Sequence, residues 1–250
     1  MIKEIRILAD HRIQYIADLR NQVLSERFRG RPVISAEITS SQAEAAATMC
    51  PTAAIDGESG SIDLGRCTFC NACAFMFPGV FRFSADYRIA ASERSGLIVK
   101  PGQTGWSGFN GLAVRPVIRR LFRRALKLRQ VSAGGDNSCE MELHAAGNVN
   151  FDMGRYGIEF VASPRHADGI VITGPVSENM ADALEMTYRA VPSPRLIILC
   201  GTDAISGGLF AGSPAVKRDF IEKHHIDLYV PGNPAHPLTF ITGIMDMLGI

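Results

Sequence analysis

Residues 169–201 read GIVITGPVSENMADALEMTYRAVPSPRLIILCG, and this stretch decides the fold. The apolar runs 169–173 and 196–200 have the length of buried strands, and residues 178–191 between them have the pattern of a helix. A strand, a helix and a second strand in succession are typical of parallel strands joined by a crossover. The stretch therefore predicts a unit of an α/β fold.

The same alternation of apolar runs and helical stretches continues outward from this unit over residues 131–250. We therefore predict a doubly wound parallel sheet there. In such sheets, ligands bind in the crevice beyond the carboxyl ends of the strands. The loops in which to look for a site are those at the predicted strand ends, residues 134–140, 173–180, 200–208 and 231–237.

A second pattern lies upstream, where the chain reads MCP at 49–51 and CTFCNACAFMFP at 67–78. Three cysteines at Cys-x-x-Cys-x-x-Cys spacing supply three ligands of a 4Fe-4S cluster in bacterial ferredoxins. The fourth ligand is a cysteine followed by proline in the other half of an internal repeat. The sequence thus predicts one cluster in a small α+β ferredoxin-like domain, held by Cys50, Cys67, Cys70 and Cys73.

The second cluster of such a repeat is predicted to be absent. Its four ligand positions would fall at Ser40, Ala43, Ala46 and Phe77, and none of these is a cysteine. All four losses belong to one cluster, whereas all four retained cysteines belong to the other. The alternatives for the retained set are a structural zinc site, which usually takes paired Cys-x-x-Cys or mixed Cys and His ligands, and a group of buried free thiols.

We divide the chain into a lead-in segment, a ferredoxin-like 4Fe-4S domain, a linker with a basic amphipathic helix, and the α/β domain. Their ranges are 1–36, 37–82, 83–130 and 131–250. The helix is predicted from RPVIRRLFRRALKLR at 115–129, which carries seven basic residues and no acidic one. Such a helix either docks on a partner or an anionic membrane surface, or packs on its own domain.

Composition excludes several classes of protein. The net charge of +1 over 250 residues argues against bulk nucleic-acid binding. No apolar run approaches the roughly 20 residues of a membrane span, and the first twenty residues do not have the pattern of a secretory signal. Six cysteines are too few for a disulfide scaffold. We expect a soluble cytosolic chain with reduced thiols.

Three stretches carry a family resemblance: RYGIEFVASPRHADGIVITGPVSENM, PSPRLIILCGTDAISGG and DLYVPGNPAHP, at 155–180, 192–208 and 227–237. They resemble the small, cluster-bearing subunit shared by respiratory NADH:quinone oxidoreductase and the membrane-bound energy-converting nickel–iron hydrogenases, including formate hydrogenlyase. The resemblance implies a flavodoxin-like fold and a proximal 4Fe-4S cluster at the strand-end loops. It also implies a large catalytic subunit and membrane-arm subunits as partners, at the cytoplasmic face of the membrane.

The chain departs from the family at the ligands of that proximal cluster. The family's first loop, Gly-Ser-Cys-Asn-Gly-Cys in hydrogenase-type members, appears here as residues 134–139, with Asp136 and Cys139 at the cysteine positions. Asp203 and Asn233 stand at the cysteines of the Gly-x-Cys and Pro-Gly-Cys-Pro loops. Because iron–sulfur clusters need soft thiolates, we predict that the proximal cluster is absent.

Three interpretations of the vacated site remain open. It is a polar, metal-free group of loops that keeps the fold and the partner interface, a site for a harder metal ion, or a pocket for a small ligand or flavin. Cys200, at the end of an apolar strand, is predicted to be a core residue. Glu140 and Glu142 are expected on a helix surface, with proton transfer as the alternative.

The predicted function is that of an electron-transfer subunit of a membrane-associated, hydrogenase-related or complex-I-like oxidoreductase. It would carry one 4Fe-4S cluster, and no catalytic residue or substrate site of its own is predicted. Two alternatives differ in class. One is a structural or coupling subunit without redox duty, and the other is a genuine small subunit of a nickel–iron hydrogenase.

Overall fold

The computed structural model describes residues 2–12, 14–106, 108 and 114–250. The helices are α1 Ile2–His11, α2 Ser40–Met49, α3 Ala72–Met76, α4 Pro116–Phe122, α5 Ser138–Ala146, α6 Glu178–Ala190, α7 Thr202–Ser206, α8 Asp219–Lys223 and α9 Pro237–Leu248. The strands are β1 Pro32–Ile34, β2 Ile62–Asp63, β3 Phe81–Phe83, β4 Ile98–Val99, β5 Leu126–Ser132, β6 Ile158–Phe160, β7 Gly169–Thr173, β8 Leu196–Cys200 and β9 Leu228–Val230.

The carboxy-terminal half is built on a five-stranded parallel sheet with the spatial order β6-β5-β7-β8-β9. Counted along the chain, this is the order 2-1-3-4-5 of flavodoxin-like folds. Strands β7 and β8 are buried at every position, as expected for strands covered by helices on both faces. The predicted α/β, flavodoxin-like doubly wound sheet is therefore confirmed.

Two hydrophobic clusters pack on opposite faces of the sheet. Along β7, Ile170 and Ile172 face one cluster and Val171 faces the other, as the alternation of a strand requires. The second cluster contains most of α9. The first contains Leu184 of α6 and continues into the cysteine-bearing segment through Leu64, Cys67 and Phe81.

The cysteine-bearing segment forms a small α+β unit. Strand β1 pairs antiparallel with β3, and β2 pairs antiparallel with β4. Helix α2 begins at a capping box, in which the Thr39 hydroxyl accepts from the Gln42 N–H and the Gln42 side chain accepts from the Thr39 N–H. Strand β1 lies in the predicted lead-in and β4 in the predicted linker, so both segments contribute strands to this unit.

The predicted linker also contacts the parallel sheet. Ala91 and Tyr229 exchange two backbone hydrogen bonds of 2.9 Å, which join the linker to β9. The indole N–H of Trp106 donates to the Ala90 carbonyl at 3.0 Å. Residues 107 and 109–113 of the predicted linker lie outside the described residues.

The helix predicted over 115–129 is wrong in its second half. Helix α4 ends at Phe122, and Leu126 begins β5, the strand between β6 and β7. Leu126 and Leu128 are buried, whereas Lys127 between them is exposed, so tertiary pairing overrides the helical spacing. Gly157, directly before β6, packs against the turn between α4 and β5. It has a φ of +73°, and a Cβ there would lie 2.3 Å from the Arg124 carbonyl oxygen, so only glycine fits.

Part of the basic stretch binds its own domain. The Arg115 guanidinium pairs with the buried Asp227 carboxylate at 2.7 Å, and Arg119 donates to the Met247 carbonyl at 3.0 Å. Arg120, Arg123 and Arg124 are exposed. Among the described residues, no helix is both long enough and apolar enough to span a membrane.

Candidate metal centre and strand-end loops

The four cysteines of the predicted cluster border one cavity. They line it together with mostly apolar side chains, among them Met49, Pro51, Ala54, Ile62 and Phe83. Across the described ranges, no three side chains of His, Cys, Asp or Glu are grouped as ligands of a single metal ion. Four sulfur ligands around an apolar space match the ligand chemistry of a 4Fe-4S cluster.

The four cysteines come from two segments of the chain. Cys50 follows the last turn of α2, Cys67 and Cys70 lie on the loop that enters α3, and Cys73 is the second residue of α3. Non-glycine residues with positive φ, namely Ala53, Phe69 and Asn71, lie beside the cysteines in both segments. Such backbone conformations cost about 1–3 kcal/mol each and cluster at functional sites.

Backbone amides also point at two of the sulfurs. The Ala54 N–H donates to Cys50 Sγ at 3.3 Å, and the Phe69 N–H donates to Cys67 Sγ at 3.4 Å. Hydrogen bonds of this type stabilise thiolates and help to set the reduction potential of a bound cluster.

The thiols are close enough to influence each other's protonation. Burial raises the pKa of Cys67 to about 12, and the charges of Cys73, Cys50 and Cys70 contribute further, against the lowering effect of the Phe69 N–H. Burial likewise raises the pKa of Cys73 to about 11. Cys70 is exposed. The site is thus a mostly buried set of thiols with one ligand at the surface.

Three of the four predicted ligand positions of the second ferredoxin cluster hold packed side chains, and the fourth, Ser40, is exposed. Ser40, Ala43 and Ala46 lie in α2, and the two alanines are buried. Phe77 packs on the same hydrophobic cluster and makes an edge contact with Phe81 at 6.5 Å between ring centroids. Helix and core therefore occupy these positions.

At the strand-end loops, the structure places Asp136, Cys139 and Asp203 near each other. Hydrogen bonds from Ser138, through its hydroxyl at 2.6 Å and its N–H at 2.9 Å, lower the pKa of Asp136. Burial raises the pKa of Asp203, and the charges of Asp136 and Glu140 add to that effect.

Cys139 and Cys200 form a buried thiol pair. A hydrogen bond between the two side chains lowers the pKa of Cys139 and raises that of Cys200. Cys200 is fully buried at the end of β8, in the core position expected from the sequence. The pair is packed tightly against Gly201, where a Cβ would lie 2.4 Å from Cys139 Sγ.

Asn233 borders a different space from Asp136, Cys139 and Asp203. It lies on the loop between β9 and α9, where the Asn233–Pro234 peptide bond is cis. This loop lines a cavity of about 250 Å³ with Arg27, Arg29 and Phe69. The four predicted positions of the vacated site therefore divide between two neighbouring environments.

Thr202 joins the cysteine loop to the strand-end loops. Its hydroxyl donates to the Cys67 carbonyl at 2.8 Å and lies 3.2 Å from the Gly232 carbonyl, while its N–H donates to Gly232 at 2.8 Å. Sequence reasoning missed this residue. The only available signal was its position between Gly201 and Asp203, in a loop already singled out.

Glu140 is buried, so the expected surface position is wrong. Its carboxylate accepts a 2.5 Å hydrogen bond from the Ser132 hydroxyl and a 2.7 Å bond from the Thr173 hydroxyl. Both hydroxyls lie at the last residues of adjacent strands, β5 and β7, which supply the partners that a buried carboxylate requires. Glu142, two residues further along the same helix, is half-buried.

Fold and site together define an α/β protein of flavodoxin-like topology, with a four-cysteine unit attached to its strand-end loops. The chain belongs to the family of the NADH ubiquinone oxidoreductase 20 kDa subunit, whose family model matches residues 137–247. The match lies within the α/β domain, and the four-cysteine unit precedes it.

Three relatives illustrate the range of the family. A probable membrane-bound hydrogenase subunit of Pyrococcus furiosus is 32% identical over 46% of this chain and 69% of its own length. An NADH-quinone oxidoreductase subunit of Geotalea daltonii is 38% identical over 44% of this chain and 64% of its own length. Formate hydrogenlyase subunit 7 of Escherichia coli is 31% identical over 55% of this chain and 54% of its own length. The chain therefore spans between about half and two thirds of the curated relatives it matches.

Proposed function

We propose that the protein is an electron-transfer subunit of a membrane-associated oxidoreductase related to hydrogenases and complex I. It carries one 4Fe-4S cluster, at Cys50, Cys67, Cys70 and Cys73. The observation that carries the proposal is the arrangement of these four thiols around one cavity, beside the strand-end loops of the family fold. The relatives' names, which include hydrogenase and quinone oxidoreductase subunits, support the class of assembly.

The cysteine unit has the properties that a one-electron carrier requires. When bound, the cluster supplies one-electron transfer. The chain supplies four soft ligands, two N–H donors to their sulfurs, and a largely apolar surround. The exposed Cys70 leaves one side of the site near the surface, where a partner can approach.

The proposal includes the absence of two other clusters. The second ferredoxin position offers Ser40, Ala43, Ala46 and Phe77, of which none is a thiolate. The proximal position offers only one thiolate, Cys139, which is buried beside Cys200. Aspartate and asparagine oxygens are hard ligands and do not replace the missing thiolates.

A missing proximal cluster interrupts the route from the cysteine unit to a large hydrogenase-like or quinone-reductase-like subunit. We therefore expect hydrogenase activity to be absent and the redox chemistry of the assembly to be altered. The α/β domain would keep the interface to the large subunit and to membrane-arm subunits, on the cytoplasmic side as a peripheral component. The division into a ferredoxin-like unit followed by an α/β domain remains part of this proposal, with β1 and β4 assigned to the first unit and the whole of β5 to the second.

Anaerobic purification followed by iron and sulfide analysis and EPR tests the cluster count. About four irons and four sulfides per chain, with one reducible signal, is the expected result. About eight irons would contradict the loss of the proximal cluster, and zinc without iron would contradict the cluster altogether. Cys70→Ser should reduce the iron content, whereas the control Cys200→Ser should leave it unchanged.

The replacement of three proximal thiolates also favours a second candidate function, that of a coupling subunit without redox duty. The two functions differ in the intact complex. If the protein transfers electrons, Cys70→Ser lowers electron flux through the complex without dissociating it. Unchanged flux in a fully assembled Cys70→Ser complex would favour the coupling function.

A further inference from the structure

A cavity lies where the lead-in segment, the cysteine loop and the loop after β9 meet. Its volume is about 250 Å³, close to the lower end of the range for small-ligand sites. Its lining includes Arg27, Phe28 and Arg29 of the lead-in segment, Phe69 of the cysteine loop, Glu142 of α5, and Asn233 and His236 of the loop after β9. None of its described lining residues is a cysteine, so the cavity is separate from the candidate metal centre.

The walls of the cavity are held in place by contacts of their own. The Phe28 ring packs edge-on against the His236 imidazole at 5.1 Å between centroids, and Phe151 packs against the same imidazole at 5.8 Å. His236 Nδ1 accepts from the Leu238 N–H at 3.2 Å. On the lead-in side, the Phe28 N–H donates to the Ser25 carbonyl at 2.9 Å. The cavity is therefore formed before any ligand enters.

The cavity presents hydrogen-bond donors on two arginines and one asparagine. Among the described residues, neither the Arg27 nor the Arg29 guanidinium makes a hydrogen bond or an ion pair, and the same holds for the Asn233 amide. Burial lowers the pKa of His236 to about 4, so its imidazole is neutral at pH 7. Glu142 is the only acid in the described lining, and burial raises its pKa.

We infer that this cavity binds a small organic carboxylate, with its carboxylate at Arg27 and Arg29 and its apolar body between Phe28 and Phe69. Two guanidinium groups form charge-assisted hydrogen bonds to a carboxylate, which are stronger than neutral ones. The aromatic walls favour a flat ligand. Asn233 places a neutral hydrogen-bonding amide at the edge of this cavity. The inference does not depend on the cluster.

The test uses the full chain and 4-fluorobenzoate as the probe, with binding followed by ¹⁹F NMR. The neutral analogue 4-fluorobenzamide has nearly the same size and shape and serves as the ligand control. The test variant is Arg27→Gln/Arg29→Gln, which changes two exposed side chains. The matched control is Arg120→Gln/Arg123→Gln, which removes two exposed charges elsewhere.

We expect saturable binding of 4-fluorobenzoate and at least tenfold weaker binding of 4-fluorobenzamide. The Arg27/Arg29 variant should lose about tenfold or more in affinity for the carboxylate, since each charge-assisted hydrogen bond contributes about tenfold. The Arg120/Arg123 variant should bind like the wild type. Equal binding of the two probes to the wild-type chain, or equal weakening in the two double variants, would overturn the inference.

Discussion

The Thr202 hydroxyl donates a hydrogen bond of 2.8 Å to the carbonyl oxygen of Cys67, and both residues are buried. The bond spans 135 residues of sequence and connects the first turn of α7 to the loop that carries Cys67 and Cys70. It is thus a direct polar contact between the family domain and the unit attached to it.

Removing this bond should destabilise the protein. Thr202→Val keeps the shape of the side chain but leaves the buried Cys67 carbonyl without its donor. We expect a loss of about 1–3 kcal/mol in the free energy of unfolding, measured by denaturant titration. Thr187→Val, on the surface of α6, is the control and should change it by less than about 0.5 kcal/mol. Equal stability of the Thr202 variant and the wild type would show that the contact contributes nothing.

Gly201→Ala should also be destabilising, for two separable reasons. Its φ of +95° disfavours any side chain, and the new Cβ would lie 2.4 Å from Cys139 Sγ. We expect a cost of about 1–3 kcal/mol. In the double variant with Cys139→Ala the contact disappears, so a double-mutant cycle should give a favourable coupling energy. Gly105→Ala, with no atom within 4 Å of the added Cβ, is the control.

Removing the buried Glu140 carboxylate should lower the free energy of unfolding more than removing the exposed Glu159 carboxylate does. Glu140→Leu leaves the Ser132 hydroxyl without its acceptor and leaves the Thr173 hydroxyl only the Val131 carbonyl at 3.3 Å, and we expect a loss of about 2 kcal/mol or more. Glu140→Gln retains one oxygen and should lose less. Glu159→Leu, whose carboxylate is exposed and pairs with Lys127, should change stability only slightly. A small effect of Glu140→Leu would show that water satisfies the two hydroxyls.

The free energy of unfolding should depend on pH because of His236. Its folded pKa of about 4 lies below the ordinary value of 6.5, so the unfolded chain takes up a proton more readily. The stabilisation is fully present above about pH 6.5 and is lost as the pH falls towards 4, by up to about 3 kcal/mol. His236→Asn keeps a helix-capping side chain and should flatten that part of the curve.

The measurement is the unfolding free energy between pH 7 and pH 4, for the wild type and the His236→Asn variant in parallel. The exposed His166→Asn is the control and should follow the wild type. Parallel curves for the wild type and the His236 variant would contradict the burial of a neutral imidazole at this position.

Sequence reasoning predicts the central α/β unit because β7, α6 and β8 each carry a local pattern of sufficient length. It predicts the cysteine unit because ligand spacing is a local property as well. It places the start of β5, residues 126–129, in a helix because the apolar residues from Val117 to Leu126 also recur near helical spacing. Only pairing with β6 and β7 decides between the two structures.

The features that the sequence leaves out are contacts between distant segments. Thr202 and Cys67, or Phe28 and His236, meet only once the chain has folded, and neither pair has a motif. The burial of Glu140 has the same origin, since its partners lie on two different strands. Local patterns therefore identify the helices, the strands and the cysteine ligands. The contacts between distant segments can be found only from the structure.

The hydrophobic cluster on one face of the sheet continues without interruption into the cysteine unit, through Leu64, Phe81 and the two buried cysteines. A unit that shares its core with the sheet cannot swing outward without exposing both. The four thiols consequently keep one position relative to the strand-end loops. An electron carrier that moves between two docking positions needs a flexible connection to the rest of its chain. The shared hydrophobic core prevents such movement between the cysteine unit and the sheet.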